Sequence, residues 1–374
     1  MRYDAIAIDT SVFIKYGLNL ESGLLKQLGQ FKNTSVDVII SDIVEKEVLK
    51  HLSKNIRDAQ EQLNKALNES KRNKILSEKY VENILSQLAE SSAEAMAKNR
   101  FESFKESVGL IVISSNNVDL QELISKYFDS DLPFEDKKDK KNEFPDAIAL
   151  LSIEKWVDEN NKHACVVSID DGWIKYSDNS CYMTPTKDLA EAIEKLLPEP
   201  AVQRAIEAIR QVIADYDAEA GCSFLYDDTV CENDSSVNVY ADSSVYYEIE
   251  HLTSIIDDLE YVIDEKGLID IKVLSLSDSE VVFELGLVIH YTFSIGVSFQ
   301  IDDSRYVNSV VFASGSKERS IEHCADAIIR FTGLFSDEIS KDCIIGCEIE
   351  IVNPIKSVNF GDIDTIWQNI SHYD

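Results

Sequence analysis

Four short runs of consecutive apolar residues set the terms for the first half of this chain: AIAI at 5–8, VII at 38–40, LIVI at 110–113 and ACVV at 164–167. A strand with one wet face alternates, whereas a strand covered on both faces is apolar throughout. The second pattern belongs to parallel sheets packed between helices. Strands are expected at 5–9, 36–41, 109–114 and 163–171, with a short fifth at 181–184. Between them apolar residues return at helical spacing, as with Leu24, Leu25 and Leu28, or Val44, Val48 and Leu52. Strand alternating with helix predicts an α/β domain with a mainly parallel sheet flanked by helices.

From residue 42 to about 106 the chain has neither Pro nor Gly, with Ser41 or Asp42 placed to cap a helix. This predicts a long helical insertion over about 42–106, read as two antiparallel helices broken near 68–74. The first domain is expected to close at about residue 198, before LPEPA (197–201). A connector helix over 199–226 and an acidic α+β domain over 227–374 follow. In the latter, every odd position from Val281 to Ile301 is apolar and most even ones are polar. That is strand periodicity and not a membrane-spanning helix. Its length predicts a hairpin near Gly286 or one bent strand. Further strands are expected at 268–276, 307–313 and 343–352, forming an antiparallel sheet, with a helix at about 320–333.

Charge narrows the function classes. The net charge is −32, and 201–374 hold 10 Lys and Arg against 33 Asp and Glu. A field of that sign repels nucleic acid unless a local basic surface overrides it. Seven cysteines without a Cys-x-x-Cys pair, and no paired histidines at ligand spacing, argue against a structural zinc site. The odd cysteine count and the acidic residues Asp4 and Asp9 in the first apolar run predict a cytoplasmic protein without a membrane segment.

Four acids recur where strands end or helices begin: Asp9, Glu45, Asp146 and Asp170. Each singly has an ordinary reading as a cap or turn residue. Together, on a parallel sheet, they sit where strand carboxyl ends and helix N-termini line one crevice. Like charges at ~4 Å repel by roughly 4 kcal/mol at an effective dielectric of 20. A converging set therefore calls for shared protons or a hard divalent cation, Mg²⁺ or Mn²⁺.

At these residues the sequence resembles the PIN domain, a nuclease family. IAIDTSVF (6–13) is similar to the family's opening strand, VIISDIVEKEVLKHL (38–52) to its second segment, EFPDAIALLS (143–152) to its third and VVSIDDGW (166–173) to its fourth. The resemblance covers roughly residues 3–190 and is nearest the larger bacterial PIN-like forms. It implies a metal-dependent endonuclease acting on RNA ahead of single-stranded or flap DNA. Asp9, Glu45, Asp146 and Asp170 would hold Mg²⁺ or Mn²⁺, and Ser11 would hydrogen-bond a ligand carboxylate or a phosphate. Many relatives carry a further acid two residues after the last Asp. Gly172 stands there in this chain, with Asp171 as a neighbouring substitute.

The substrate would need a basic approach. Lys137, Lys138, Lys140 and Lys141 lie within nine residues of Asp146 and could hold phosphates. Lys46, Lys50, Lys54 and Arg57 recur along one side of the helix carrying Glu45. The acidic C-terminal domain shows no catalytic constellation and reads as a partner-binding or self-associating module. Two rivals stand beside the nuclease. One is a PIN-like scaffold that no longer cleaves. The other is a haloacid-dehalogenase-type phosphatase, disfavoured because Ser11 stands where it needs a second Asp.

Overall fold

The computed structural model describes residues 3–89, 92–134, 143–220, 225, 237–301, 310–335 and 339–368. The chain divides into two compact units, Met1–Glu199 and Pro200–Asp374.

In the first unit the apolar runs become strands β1 (Ala5–Ile8), β2 (Asp37–Ser41), β3 (Ile111–Ile113) and β4 (Ala164–Val167), joined by β5 (Met183–Thr186). They form one sheet in the order β3-β2-β1-β4-β5. Every pairing in it is parallel. All residues of β1 and β4 are buried, as sequence without alternation requires.

Helices α1 (Thr10–Lys15) and α2 (Gly23–Gln27) follow β1. After β2, Ser41 Oγ accepts from the N–H groups of Ile43 and Val44 at 3.2 and 3.3 Å and caps α3 (Asp42–Arg72). Its buried residues Val44, Val48 and Leu52 make one stripe. The insertion differs from the expected pair of helices. Its return limb is two helices, α4 (Glu78–Ala89) and α5 (Ala93–Val108), the latter capped by Ser92. Helix α5 runs antiparallel to α3: Glu94 pairs with Arg57, and Lys105 with Glu45. Gly109, at φ +68°, ends α5 in the left-handed conformation that glycine adopts without strain. The unit is completed by α6 (Leu120–Asp129), α7 (Phe144–Glu159), α8 (Asp171–Asp178) and α9 (Leu189–Leu196).

Helix α10 (Glu199–Ala220) has all but its first residue in the second unit, where Arg210 donates from Nε to the Ile269 carbonyl at 3.0 Å. Strands β6 (Asn238–Asp242), β7 (Tyr247–Tyr261), β8 (Ile271–Leu276), β9 (Glu280–Ile301), β10 (Val310–Gly333), β11 (Ile344–Ile351) and β12 (Ser357–Asp362) follow, with a last helix α11 (Asp364–Gln368). The main sheet has the order β11-β10-β9-β7, with β8 also on β9, and its pairings are antiparallel. A parallel pair β6–β12 stands apart from it.

The long alternating run is one continuous strand, not a hairpin: β9 buries Phe283, Leu285, Leu287, Ile289, Phe293, Ile295 and Phe299 along one face. The helix expected at about 320–333 is instead the second half of β10. Its residues pair with β9 from Thr332↔Glu280 back to Val310↔Ile301. Ala325, Ala327, Ile329 and Phe331 are buried at alternate positions, so a period of two outweighs local helix propensity there. The sequence of β7 shows no continuous alternation because the register shifts between Ile249 and His251 and between Ile256 and Asp258. Among the described residues, no helix is long and apolar enough to cross a membrane.

Candidate active site

Strands β1 and β4 are parallel neighbours in register Ile8↔Val167, so the residues that follow them emerge side by side. Asp9 leaves β1 in extended conformation, its N–H donating to the Val167 carbonyl at 3.1 Å. The residue is 4 % exposed. Oδ2 accepts from Ser168 Oγ at 2.7 Å and from Ser11 Oγ. Burial nonetheless pushes the Asp9 carboxyl above its ordinary range, against the pull of these hydroxyls. Ser11 Oγ in turn accepts from the Ile169 N–H at 3.1 Å. Ser168 accepts from the Asp170 N–H at 3.0 Å. Two serines thus lace the ends of β1 and β4 together.

Asp170 caps α8: its Oδ1 accepts from the N–H groups of Gly172 and Trp173 at 2.7 and 3.2 Å. Asp171, the substitute acid, is the first residue of α8 and pairs with Lys187 at 2.7 Å, with 74 % of its side chain exposed. A Cβ at position 172 would stand 2.9 Å from Asp170 Oδ1. Glycine at that position therefore leaves room for the capping carboxylate.

Asp146 comes from a third element, the first turn of α7, with Pro145 ahead of it. The Trp173 indole N–H donates to its Oδ1 at 2.9 Å. The Asp146 carboxyl is pushed up to about 6. Burial is the largest cause, and the charges of Asp9, Asp170 and Glu47 add to it, against the lowering effect of Trp173. Asp146 thus sits in the summed field of acids from three other segments.

The acid of α3 whose charge adds to the Asp146 carboxyl is Glu47. Glu45 Oε1 lies 3.6 Å from Lys105 Nζ of α5. Glu47 Oε2 accepts from Thr10 Oγ1 at 2.6 Å, next to Asp9. Two residues along a helix turn a side chain by roughly 200°, so the two glutamates flank the Val44/Val48 stripe on opposite sides. That stripe marks both flanks in the sequence; packing of α3 decides which one meets β1. Ser168 and Trp173 carry no charge, so the pattern of acids in the sequence did not point to them. Trp173 is buried and also orients Asp146. Lys137, Lys138, Lys140 and Lys141 lie outside the described residues.

A cavity of about 360 Å³ opens here, lined by Glu143, Asp146, Ile169, Asp170, Gly172 and Trp173 among others. A PIN-domain family model matches residues 6–173, the span that carries all of these acids. The match is consistent with a PIN-like domain over residues 6–173. No curated protein and no solved structure matches the chain.

The PIN domain is a nuclease-type fold whose members typically use divalent metal ions. In donor chemistry the site fits such an ion: all its charged groups are hard carboxylate oxygens, and Asp9 and Asp146 have raised pKa values that an adjacent cation would reverse. In arrangement the acids stand apart. Among the described residues, no three His, Cys, Asp or Glu side chains form a ligand group. They interact through their fields and not through a shared point.

Proposed function

We propose that the PIN domain is a metal-dependent endonuclease that hydrolyses phosphodiester bonds in RNA, or in single-stranded or flap DNA. The observation that carries this reading is Asp146: a carboxyl at about 6, held there by burial and by Asp9, Asp170 and Glu47 from three separate segments. Perturbed acids facing a cavity are the pattern of a functional site. Asp9, Asp146 and Asp170, with Glu47 beside them, would hold Mg²⁺ or Mn²⁺. Such an ion supplies Lewis acidity toward a phosphoryl oxygen and water, and neutralises charge on the scissile group. The chain's own residues do the positioning. Ser11 and Ser168 fix the Asp9 carboxylate, and Trp173 fixes Asp146. Lys137, Lys138, Lys140 and Lys141 would contact phosphates near the site, and the C-terminal unit would bind a protein partner or a second copy. Free thiols such as Cys165 and Cys181 accord with a cytoplasmic location.

Calorimetric titration of Mn²⁺ into the protein and into Asp146→Asn tests the metal site. The reading expects binding that the variant loses, and labelled single-stranded RNA cleaved only with metal. A non-cleaving PIN-like scaffold is the second reading, favoured by Asp170 Oδ1 being engaged as a helix cap. Equal, weak Mn²⁺ binding by both proteins would decide for it.

A further inference from the structure

Helix α3 carries Glu47 at its site end and then extends far beyond the sheet, for 31 residues in all. Residues three, four and seven positions on share one helical face. From Glu47 that face continues with Lys50, His51 and Lys54, all exposed. The other cations of α3 near this stretch are engaged. Lys46 pairs with Asp42 at 3.1 Å, and Arg57 with Glu94. Among the described residues, Lys50 and Lys54 have no acidic partner. Two lysines without an acidic partner, one turn apart, thus lie on the face that continues from Glu47. The ridge is also bounded: the same face turns acidic at Asp58 and Glu61.

We infer that Lys50 and Lys54, with His51 between them, form a phosphate-binding ridge that guides one strand of a single-stranded nucleic acid away from the cleavage site along α3. The inference rests on the nuclease reading for where the scissile phosphate lies. At a rise of ~1.5 Å per residue, Lys50 is ~4.5 Å and Lys54 ~10.5 Å along the axis from Glu47. Two cations one turn apart meet successive phosphates of one extended strand. A single row along a helix offers nothing to the second strand of a duplex. Lysine ammonium groups act as point charges for phosphate and carry no base preference. The ridge therefore sets register and strand form, not sequence.

The test uses the full chain in EDTA, so that binding is read without cleavage. A fluorescein-labelled single-stranded RNA of twelve nucleotides is titrated at several salt concentrations and followed by anisotropy. Lys50→Ala/Lys54→Ala should weaken binding about tenfold and flatten the slope of log K against log salt by about 1.4, the value for two phosphates of a single strand. Lys65→Ala/Arg72→Ala removes the same charge further along α3 and should bind as the unsubstituted protein does. Equal weakening by both doubles, or no weakening by the first, overturns the ridge. So does binding of a twelve-pair duplex as tight as that of the single strand. The nuclease reading fails separately: the RNA would bind through Lys50 and Lys54, yet Mn²⁺ would bring no cleavage.

Discussion

The Trp173 indole N–H donates to Asp146 Oδ1 at 2.9 Å, joining the first turn of α7 to the first turn of α8. The bond favours the charged form of a carboxyl that burial and three neighbouring acids drive toward the neutral form. Trp173→Phe keeps most of the ring volume and removes the donor. The Asp146 pKa should then rise above its present value of about 6, and Mn²⁺ affinity at pH 6 should fall more than at pH 8. Carboxyl carbon NMR of Asp146 through a pH titration, paired with calorimetry at both pH values, measures this. The expected stability loss is about 1 kcal/mol, that of one hydrogen bond.

The raised carboxyl also makes a stability statement. Its folded pKa of about 6 exceeds the ordinary value of 3.8, so between those values the folded state holds more protons than the unfolded state. Stability from this group is complete below 3.8 and is lost as pH rises through 6. Asp146→Asn keeps an acceptor for Trp173 and never acquires the charge. Without metal, the variant should exceed the unsubstituted protein by about 1–2 kcal/mol at pH 8, a value discounted for partial exposure. The two should converge at pH 3.5. Urea melts in EDTA at each pH provide the comparison.

Glu47 and Glu45 separate cleanly by substitution. Glu47→Gln should reduce RNA cleavage at least tenfold and weaken Mn²⁺ binding, because it removes negative charge that would attract the ion, which outweighs the accompanying fall in the Asp146 pKa. Glu45→Gln breaks only a partly exposed pair with Lys105, within about 0.5 kcal/mol, and should cleave normally. Parallel cleavage rates and melts of the two variants distinguish the flanks of α3.

In the second unit, Gly333 lies where the β10–β11 ladder shifts register. A Cβ there would meet the Cys343 carbonyl oxygen at 2.0 Å. Because that atom is backbone, Gly333→Ala forces strand β11 to move, and a loss of about 2 kcal/mol or more is expected in a denaturant melt.

Much of the first unit was legible because burial on both faces leaves an apolar run that few other arrangements explain. AIAI, VII, LIVI and ACVV each became a strand of the parallel sheet, and Asp9, Asp146 and Asp170 stand at the element ends where the pattern located them. The ends of β10 and β7 were less legible. IEHCADAIIRF carries both helical and alternating spacing, and only pairing with β9 along its whole length selects the strand. In β7, two register shifts interrupt the alternation.

Hydrophobic period and residue type were enough to give the order along the chain of the five parallel strands in the first unit and the carboxylate character of the candidate site. Tertiary structure alone decided which glutamate of α3 faces Thr10, that Ser168 and Trp173 hold the site acids, and that Asp170 also caps α8. The physical reason is that period fixes which side chains share a face. Only packing between segments distant in the chain fixes what that face meets.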